Sequence, residues 1–174
     1  MVSAEKKLVF SSGQIQERVR ELARTISQDY QDKEPILIGI LNGVFMFFAD
    51  LVRNLDVPVR IDFIRLASYG CESESNGNVC MVKDVELDIS GRDVIVVEDI
   101  VDSGHTLAFL SDHLKGKSCR SVRTCVLIDK HERRERAISV DYLGFHVEQG
   151  FLVGYGLDFD EQFRYLPDIY HLNL

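Results

Sequence analysis

The chain has 174 residues, 45% of them hydrophobic and 28% charged, with a formal net charge of -8. That length fits one domain with a full core, and the acidic balance speaks against a protein that coats nucleic acid; a phosphate-rich ligand would need a local positive site or metal ions. No apolar stretch reaches the roughly 18 residues of a membrane span, and the start Met1-Val2-Ser3-Ala4-Glu5-Lys6-Lys7 is no secretory signal, so a cytoplasmic protein without a membrane partner is expected. In chain order, Ser11-Ser12 can cap a helix whose apolar face is Ile15, Val19, Leu22 and Ile26. Pro35 ends the next connection, Ile36–Leu41 reads as a buried strand, and Asn42-Gly43 turns into a helix over Val44–Arg53. Val59–Leu66 reads as a strand in which Val59, Ile61 and Phe63 alternate with Arg60, Asp62 and Ile64. Cys71–Asn78 is polar and the weakest segment for regular structure, and Val79–Val82 and Val85–Ile89 flank a hairpin or short excursion. Val94-Ile95-Val96-Val97 reads as a strand buried on both faces, and Leu107-Ala108-Phe109-Leu110 begins a helix. Val122–Ile128, the short Tyr142–Phe145 and Phe151–Tyr155 complete the strands. Strands alternating with helices over this length predict an α/β fold, a doubly wound and mainly parallel sheet flanked by helices, with the late short strands in a small hood or cap.

The segment after Val97 carries the chemistry. Two carboxylates, Glu98 and Asp99, stand at the strand end, and a third, Asp102, opens the small polar turn Ser103-Gly104-His105-Thr106 ahead of a helix. Open α/β sheets build ligand sites in this way at the carboxyl ends of their strands. Backbone N–H groups of such a turn converge on one spot, the helix behind adds positive partial charge, and the Ser103 and Thr106 hydroxyls can donate to phosphate oxygens. The acidic pair suits sugar hydroxyls or Mg²⁺. The Gly-Lys-Ser/Thr ending of a P-loop is missing, so nucleotide hydrolysis by that route is not indicated.

Other candidates read two ways on their own. Leu41-Asn42-Gly43 follows a buried strand and precedes a helix, so its N–H groups can hold a second phosphate group or simply cap the helix. Lys130 can donate to a substrate carbonyl from a strand end, or belong with the solvated charge run through Arg136. Phe151 can stack on a base or sit in the core. Asp158 can bind a cation or cap a turn, and Arg164 can pair with a diphosphate or with a surface carboxylate. The four cysteines, Cys71, Cys80, Cys119 and Cys125, have no C-x-x-C or zinc spacing and predict reduced thiols; the histidines show no metal-ligand pattern.

The run from Val94 to Thr106 resembles the phosphoribosyl-diphosphate signature of purine phosphoribosyltransferases, members of the type I phosphoribosyltransferase family. Phe151-Leu152-Val153-Gly154-Tyr155-Gly156-Leu157-Asp158, followed by Phe163-Arg164, is similar to the purine-site segment of the hypoxanthine (hypoxanthine-guanine) branch of short, bacterial type. The resemblance runs from about Ile36 to Arg164 and implies a single phosphoribosyltransferase domain over 1–174, with a hood from the N- and C-terminal segments. It implies a purine-salvage pentosyltransferase that takes hypoxanthine, and guanine as a second base, with 5-phosphoribosyl 1-diphosphate to the nucleoside monophosphate and diphosphate, using Mg²⁺. By the same resemblance Asp102 is the general acid/base at purine N7, and Glu98 and Asp99 orient the ribose and hold metal with Asp158. Ser103, Gly104, His105 and Thr106 form the 5-phosphate turn, with no side-chain chemistry assigned to His105. Leu41, Asn42 and Gly43 form the diphosphate loop, in which Asn42 stands where the family usually carries Lys or Arg. Lys130 contacts the purine 6-oxo group, Phe151 stacks, the Leu152 backbone faces the base edge, and Arg164 meets diphosphate. Ser68 and Tyr69 resemble a closing loop. A homodimer or homotetramer is implied. A nucleic-acid-binding regulator of the same fold should show a basic face, and a xanthine- or pyrimidine-specific transferase should lack Lys130 together with the Phe151–Asp158 segment.

Overall fold

The computed structural model describes residues 5–67 and 80–173. Strand β1 (Lys6–Phe10) leads into helix α1 (Ser12–Asp29). Ser11 caps α1 through a capping box: its hydroxyl accepts from Gln14 N at 3.4 Å, and its own N–H donates to Gln14 Oε1 at 2.9 Å. Ile15, Val19, Leu22 and Ile26 are buried, the stripe that the helical period requires. Then come β2 (Ile36–Leu41), α2 (Phe45–Asn54), β3 (Arg60–Ala67), β4 (Cys80–Lys83), β5 (Asp93–Val101) and α3 (His105–Lys115). The described chain closes with β6 (Ser121–Lys130), β7 (Tyr142–Val147), β8 (Leu152–Val153) and β9 (Ile169–Leu172).

The main sheet has the order β4-β3-β2-β5-β6-β7. All neighbours are parallel except the edge pair β3 and β4. The strand period of two sorts its side chains between two cores. Leu37, Ile95, Val97, Cys125 and Leu127 pack with α1 and α2, whereas Ile36, Ile38, Val94, Val96 and Val126 pack with α3. Helices therefore cover both faces, and the sheet is doubly wound. The chain runs from β2 outward to β3 and then returns to place β5 on the other side of β2. That reversal opens a crevice beyond the carboxyl ends of β2 and β5, where such sheets bind ligands. A second, three-stranded sheet, β1-β9-β8, joins the two ends of the chain. Ser12 N adds a 2.6 Å hydrogen bond to Asp168 Oδ1.

The structure differs from the sequence reading in places. Strand β5 continues through Glu98 and Asp99 to Val101 instead of ending before them. Residues 85–89 form no strand: the carboxylate of Asp62, buried in β3, accepts the backbone N–H groups of Glu86 and Leu87 and holds this segment in an irregular path. The last predicted strand shrinks to Leu152–Val153, and β1 and β9 were not anticipated. Cys80 is disulfide-bonded, which corrects the expectation of four reduced thiols; Cys119 and Cys125 are free. Ser68, Tyr69 and the polar stretch Cys71–Asn78 lie outside the described residues. No helix among the described residues is long and apolar enough to cross a membrane.

Candidate active site

A cavity of about 500 Å³ opens at the carboxyl ends of β2, β5 and β6, within the range of small-ligand sites. Asn42, Gly43, Asp99, Asp102, Lys130, Phe151, Leu152, Asp158 and Arg164 all line it. Nine residues drawn from four separate stretches of sequence thus converge on one space.

One end is acidic with a single guanidinium. The Leu41–Asn42 peptide is cis, and Gly43 follows with its Cα against the Asp99 carboxylate. Any Cβ at 43 would collide with Asp99 Oδ2, so close approach of loop and carboxylate requires glycine here. Arg164 Nη1 donates to Gly156 O at 2.8 Å, and Nη2 lies 2.8 Å from Asp158 Oδ1, which fixes the guanidinium at the cavity wall. Burial pushes the Asp99 carboxyl up to about 6; the N–H of Ile100 and the charge of Arg164 oppose that rise, and the charge of Asp158 adds to it. Glu98 is pushed well above the usual carboxylate range by burial and then by Asp99, and its Oε2 has no hydrogen-bond partner among the described residues. Glu98 is not among the residues that line the cavity and stands behind Asp99 on the same strand. Oxygen-only donors whose negative charge is held back by burial suit a hard divalent cation such as Mg²⁺, and a cation there would favour their ionised forms.

The other end pairs a lysine with an aspartate. Lys130, the last residue of β6, has a side chain only 7% exposed. Its Nζ lies 3.1 Å from Asp102 Oδ2, 3.2 Å from Gly150 O and 3.7 Å from Glu132 Oε2. It does not belong with the solvated run. Asp102 Oδ1 is buried and has no hydrogen-bond partner among the described residues, an acceptor left without a donor. Phe151 is 39% exposed and meets Phe159 edge-on at 5.4 Å, while Leu152 is buried.

The turn after β5 enters α3 through Gly104 at φ 87°, a conformation that glycine adopts without penalty. Ser103 and His105–Thr106 surround it at the N-terminus of the helix, with His105 N 3.4 Å from Ser103 Oγ. None of Leu41, Glu98, Ser103, Gly104, His105 and Thr106 lines the 500 Å³ cavity; the turn sits beside it, next to Asp102. The chain beyond β6 folds back over this turn. Glu135 and Arg136 N–H groups both donate to Ser103 O at 3.0 Å, and His105 Nε2 meets Glu135 Oε2 at 2.7 Å.

Arg134 is the residue that sequence reasoning missed. It was read as part of a solvated charge run, yet its side chain is 16% exposed. Its guanidinium donates to the carbonyls of Asp102 (3.0 Å), Val101 (3.4 Å) and Lys130 (3.1 Å) and to the Asp129 carboxylate. It thereby ties the Asp102 turn to the strand that carries Lys130. Glu132 and Arg133 also line the cavity. Nothing in a run of alternating charges distinguishes the inward arginine from its neighbours.

Residues 10–160 match the family described as "Phosphoribosyl transferase domain". The chain is 44% identical over 165 residues to the hypoxanthine-guanine phosphoribosyltransferase of Aquifex aeolicus, covering 94% of this chain and 93% of that one. It is 41% identical over 164 residues to the bifunctional protein TilS/HprT of Listeria innocua, and spans about a quarter of that longer protein's length. Among solved structures, a hypoxanthine-guanine phosphoribosyltransferase of Bacillus anthracis superposes with a TM-score of 0.91 at 42% identity, over 99% of this chain and 100% of that one. The chain therefore belongs to the phosphoribosyl transferase family, among the hypoxanthine-guanine phosphoribosyltransferases.

Proposed function

We propose that this site transfers the 5-phosphoribosyl group of 5-phosphoribosyl 1-diphosphate to N9 of hypoxanthine, and of guanine, releasing diphosphate in a purine-salvage reaction. The bond from ribose C1 to diphosphate breaks as the bond from C1 to N9 forms, and the ribose becomes cation-like between them. The observation that carries the reading is the pairing of the buried Lys130 with the half-buried Asp102 at the cavity wall, Asp102 Oδ1 having no partner among the described residues. Lys130 donates to the 6-oxo group, and the Asp102 carboxylate accepts the N7 proton as N9 attacks. Phe151 stacks on the base, and the Leu152 backbone faces its edge. The Asp102–Thr106 turn and the first turn of α3 hold the 5-phosphate, so binding energy remote from C1 positions it. Asn42 and Gly43 backbone groups and Arg164 receive the diphosphate and meet its growing charge; with Asn42 in the loop, no cationic side chain stands at that position. Asp99 and Asp158, with Glu98 behind, would hold Mg²⁺, which supplies charge neutralisation to the diphosphate. Ser68 and Tyr69 would contribute to closure over the bound substrates.

A homodimer or homotetramer and a cytoplasmic setting belong to the same proposal; a polyanionic substrate that does not cross a bilayer unaided supports the latter. The test is a base panel of hypoxanthine, guanine, xanthine, adenine and uracil with 5-phosphoribosyl 1-diphosphate. Product from hypoxanthine and guanine, abolished by excess chelator and restored by Mg²⁺, is expected. A folded chain that turns over neither base overturns the substrate assignment, and equal activity in chelator overturns the metal.

A further inference from the structure

Behind the purine end, on the other side of β6, three metal-ligating side chains meet. Asp129 and His146 are register partners on the parallel strands β6 and β7, so their side chains share a face. His131 follows Asp129 by two residues and rises on the same side. Lys130, between them, points the opposite way, to Gly150 and Asp102. None of Asp129, His131 and His146 lines the substrate cavity.

Their donor atoms all lie within 4.8 Å of one another. Asp129 Oδ2 is 3.0 Å from His131 Nε2 and 3.7 Å from His146 Nδ1. Ligands bonded at about 2.1 Å in a tetrahedron stand about 3.4 Å apart, and the two distances bracket that edge. We infer that Asp129, His131 and His146 form an accessory site for a borderline transition-metal ion of the Zn²⁺ class. Two imidazoles with one carboxylate suit Zn²⁺, Co²⁺ or Ni²⁺ rather than the all-oxygen shell that Mg²⁺ prefers. The ligands are also backed as metal ligands usually are. Asp129 has a side chain 8% exposed, and its other oxygen, Oδ1, is held by Arg134, so the carboxylate is already oriented toward the rings. The imidazoles are 58% and 67% exposed, leaving solvent free to complete the coordination shell. Because Arg134 also holds the carbonyls of Asp102 and Lys130, the site abuts the purine end without entering it.

The experiment is a calorimetric titration of the full chain with Zn²⁺ in saturating Mg²⁺, repeated with His131→Gln, His146→Gln and the double variant. Both histidines are exposed, and thermal melting checks that each variant folds. The wild type should bind one Zn²⁺ per chain, and each substitution should weaken that binding at least about tenfold. With Co²⁺ as probe, the visible absorption of imidazole coordination should appear in the wild type and vanish in the double variant. An isotherm unchanged in the double variant, Zn²⁺ binding lost in Asp99→Asn instead, or no binding by the wild type overturns the inference.

Discussion

Replacing Lys130 by Met keeps the buried stem of the side chain and removes the ammonium. The Nζ now bridges Asp102 Oδ2 at 3.1 Å and Gly150 O at 3.2 Å, and with substrate bound it would add a charged hydrogen bond to the 6-oxo oxygen. A hydrogen bond to a charged group contributes about 1.5–3 kcal/mol, which at about 1.4 kcal/mol per factor of ten is a loss of roughly 10- to 150-fold in kcat/KM for hypoxanthine and guanine. Adenine presents an amine at that position, a donor facing an ammonium that has three donors and no acceptor. Its already poor kcat/KM should not fall with the substitution, so the ratio of hypoxanthine to adenine is the informative quantity. Steady-state kinetics with the three bases, each against a saturating second substrate, reads it. If the only role of Lys130 were to hold Asp102, all bases would lose together and the ratio would stay constant. Unchanged hypoxanthine turnover, or a constant ratio, would falsify the assignment of Lys130 to the purine oxygen.

Asp102→Asn should leave the affinity for 5-phosphoribosyl 1-diphosphate nearly unchanged while turnover drops roughly 10²–10⁴-fold; normal turnover with weakened affinity would show a binding residue instead. Gly43→Ala drives a methyl group into Asp99 Oδ2 and should cost activity at least about 100-fold, the scale of a displaced reacting group, in a variant that thermal melting shows to be folded; full activity would contradict the observed packing. Asp99 keeps its proton up to about 6 in the fold against 3.8 as its ordinary value. Between those values the native state binds more protons than the unfolded one, so this carboxyl makes stability fall as pH rises through that window. Urea titrations across pH 4 to 6 should show that slope diminished in Asp99→Asn, and an identical slope in the variant would remove Asp99 as its source.

Much of the fold was legible because the chain obeys its local rules. Ile36–Leu41 was bounded to the residue by Pro35 and by the Asn42-Gly43 turn, and α1 followed from Ser11 and the stripe from Ile15 to Ile26. What escaped notice depends on contacts distant in sequence. β1 and β9 are short, β1 is largely exposed, and they pair with each other across nearly the whole chain. Neither has a pattern that stands out by itself. Residues 85–89 look apolar enough for a strand, but Asp62 takes the N–H groups that a strand partner would need. In β3 the alternation reads as apolar against polar, yet Asp62 is buried and Ile61 is 48% exposed. The burial of a carboxylate that accepts several backbone donors outweighs the transfer preference of one isoleucine.

The candidate site shows the same division between what strand parity reveals and what charge patterning hides. Lys130-His131-Glu132-Arg133-Arg134-Glu135-Arg136 is uniform as composition, and a solvated face is its ordinary meaning. Structurally it is three things in succession. Strand β6 ends at Lys130, and the period of two sends Asp129 to one side and Lys130 to the other, into the cavity. A turn follows, in which Arg134 reaches back to the ends of both β5 and β6. The backbone of Glu135 and Arg136 then lies on Ser103 O. Only arginine, with five donors in a rigid fork, can satisfy three carbonyls and a carboxylate from one position. The requirement for Arg134 is therefore visible only once the two strand ends are in place beside it, which is why the acidic turn could be found by inspection and the residue that holds it could not.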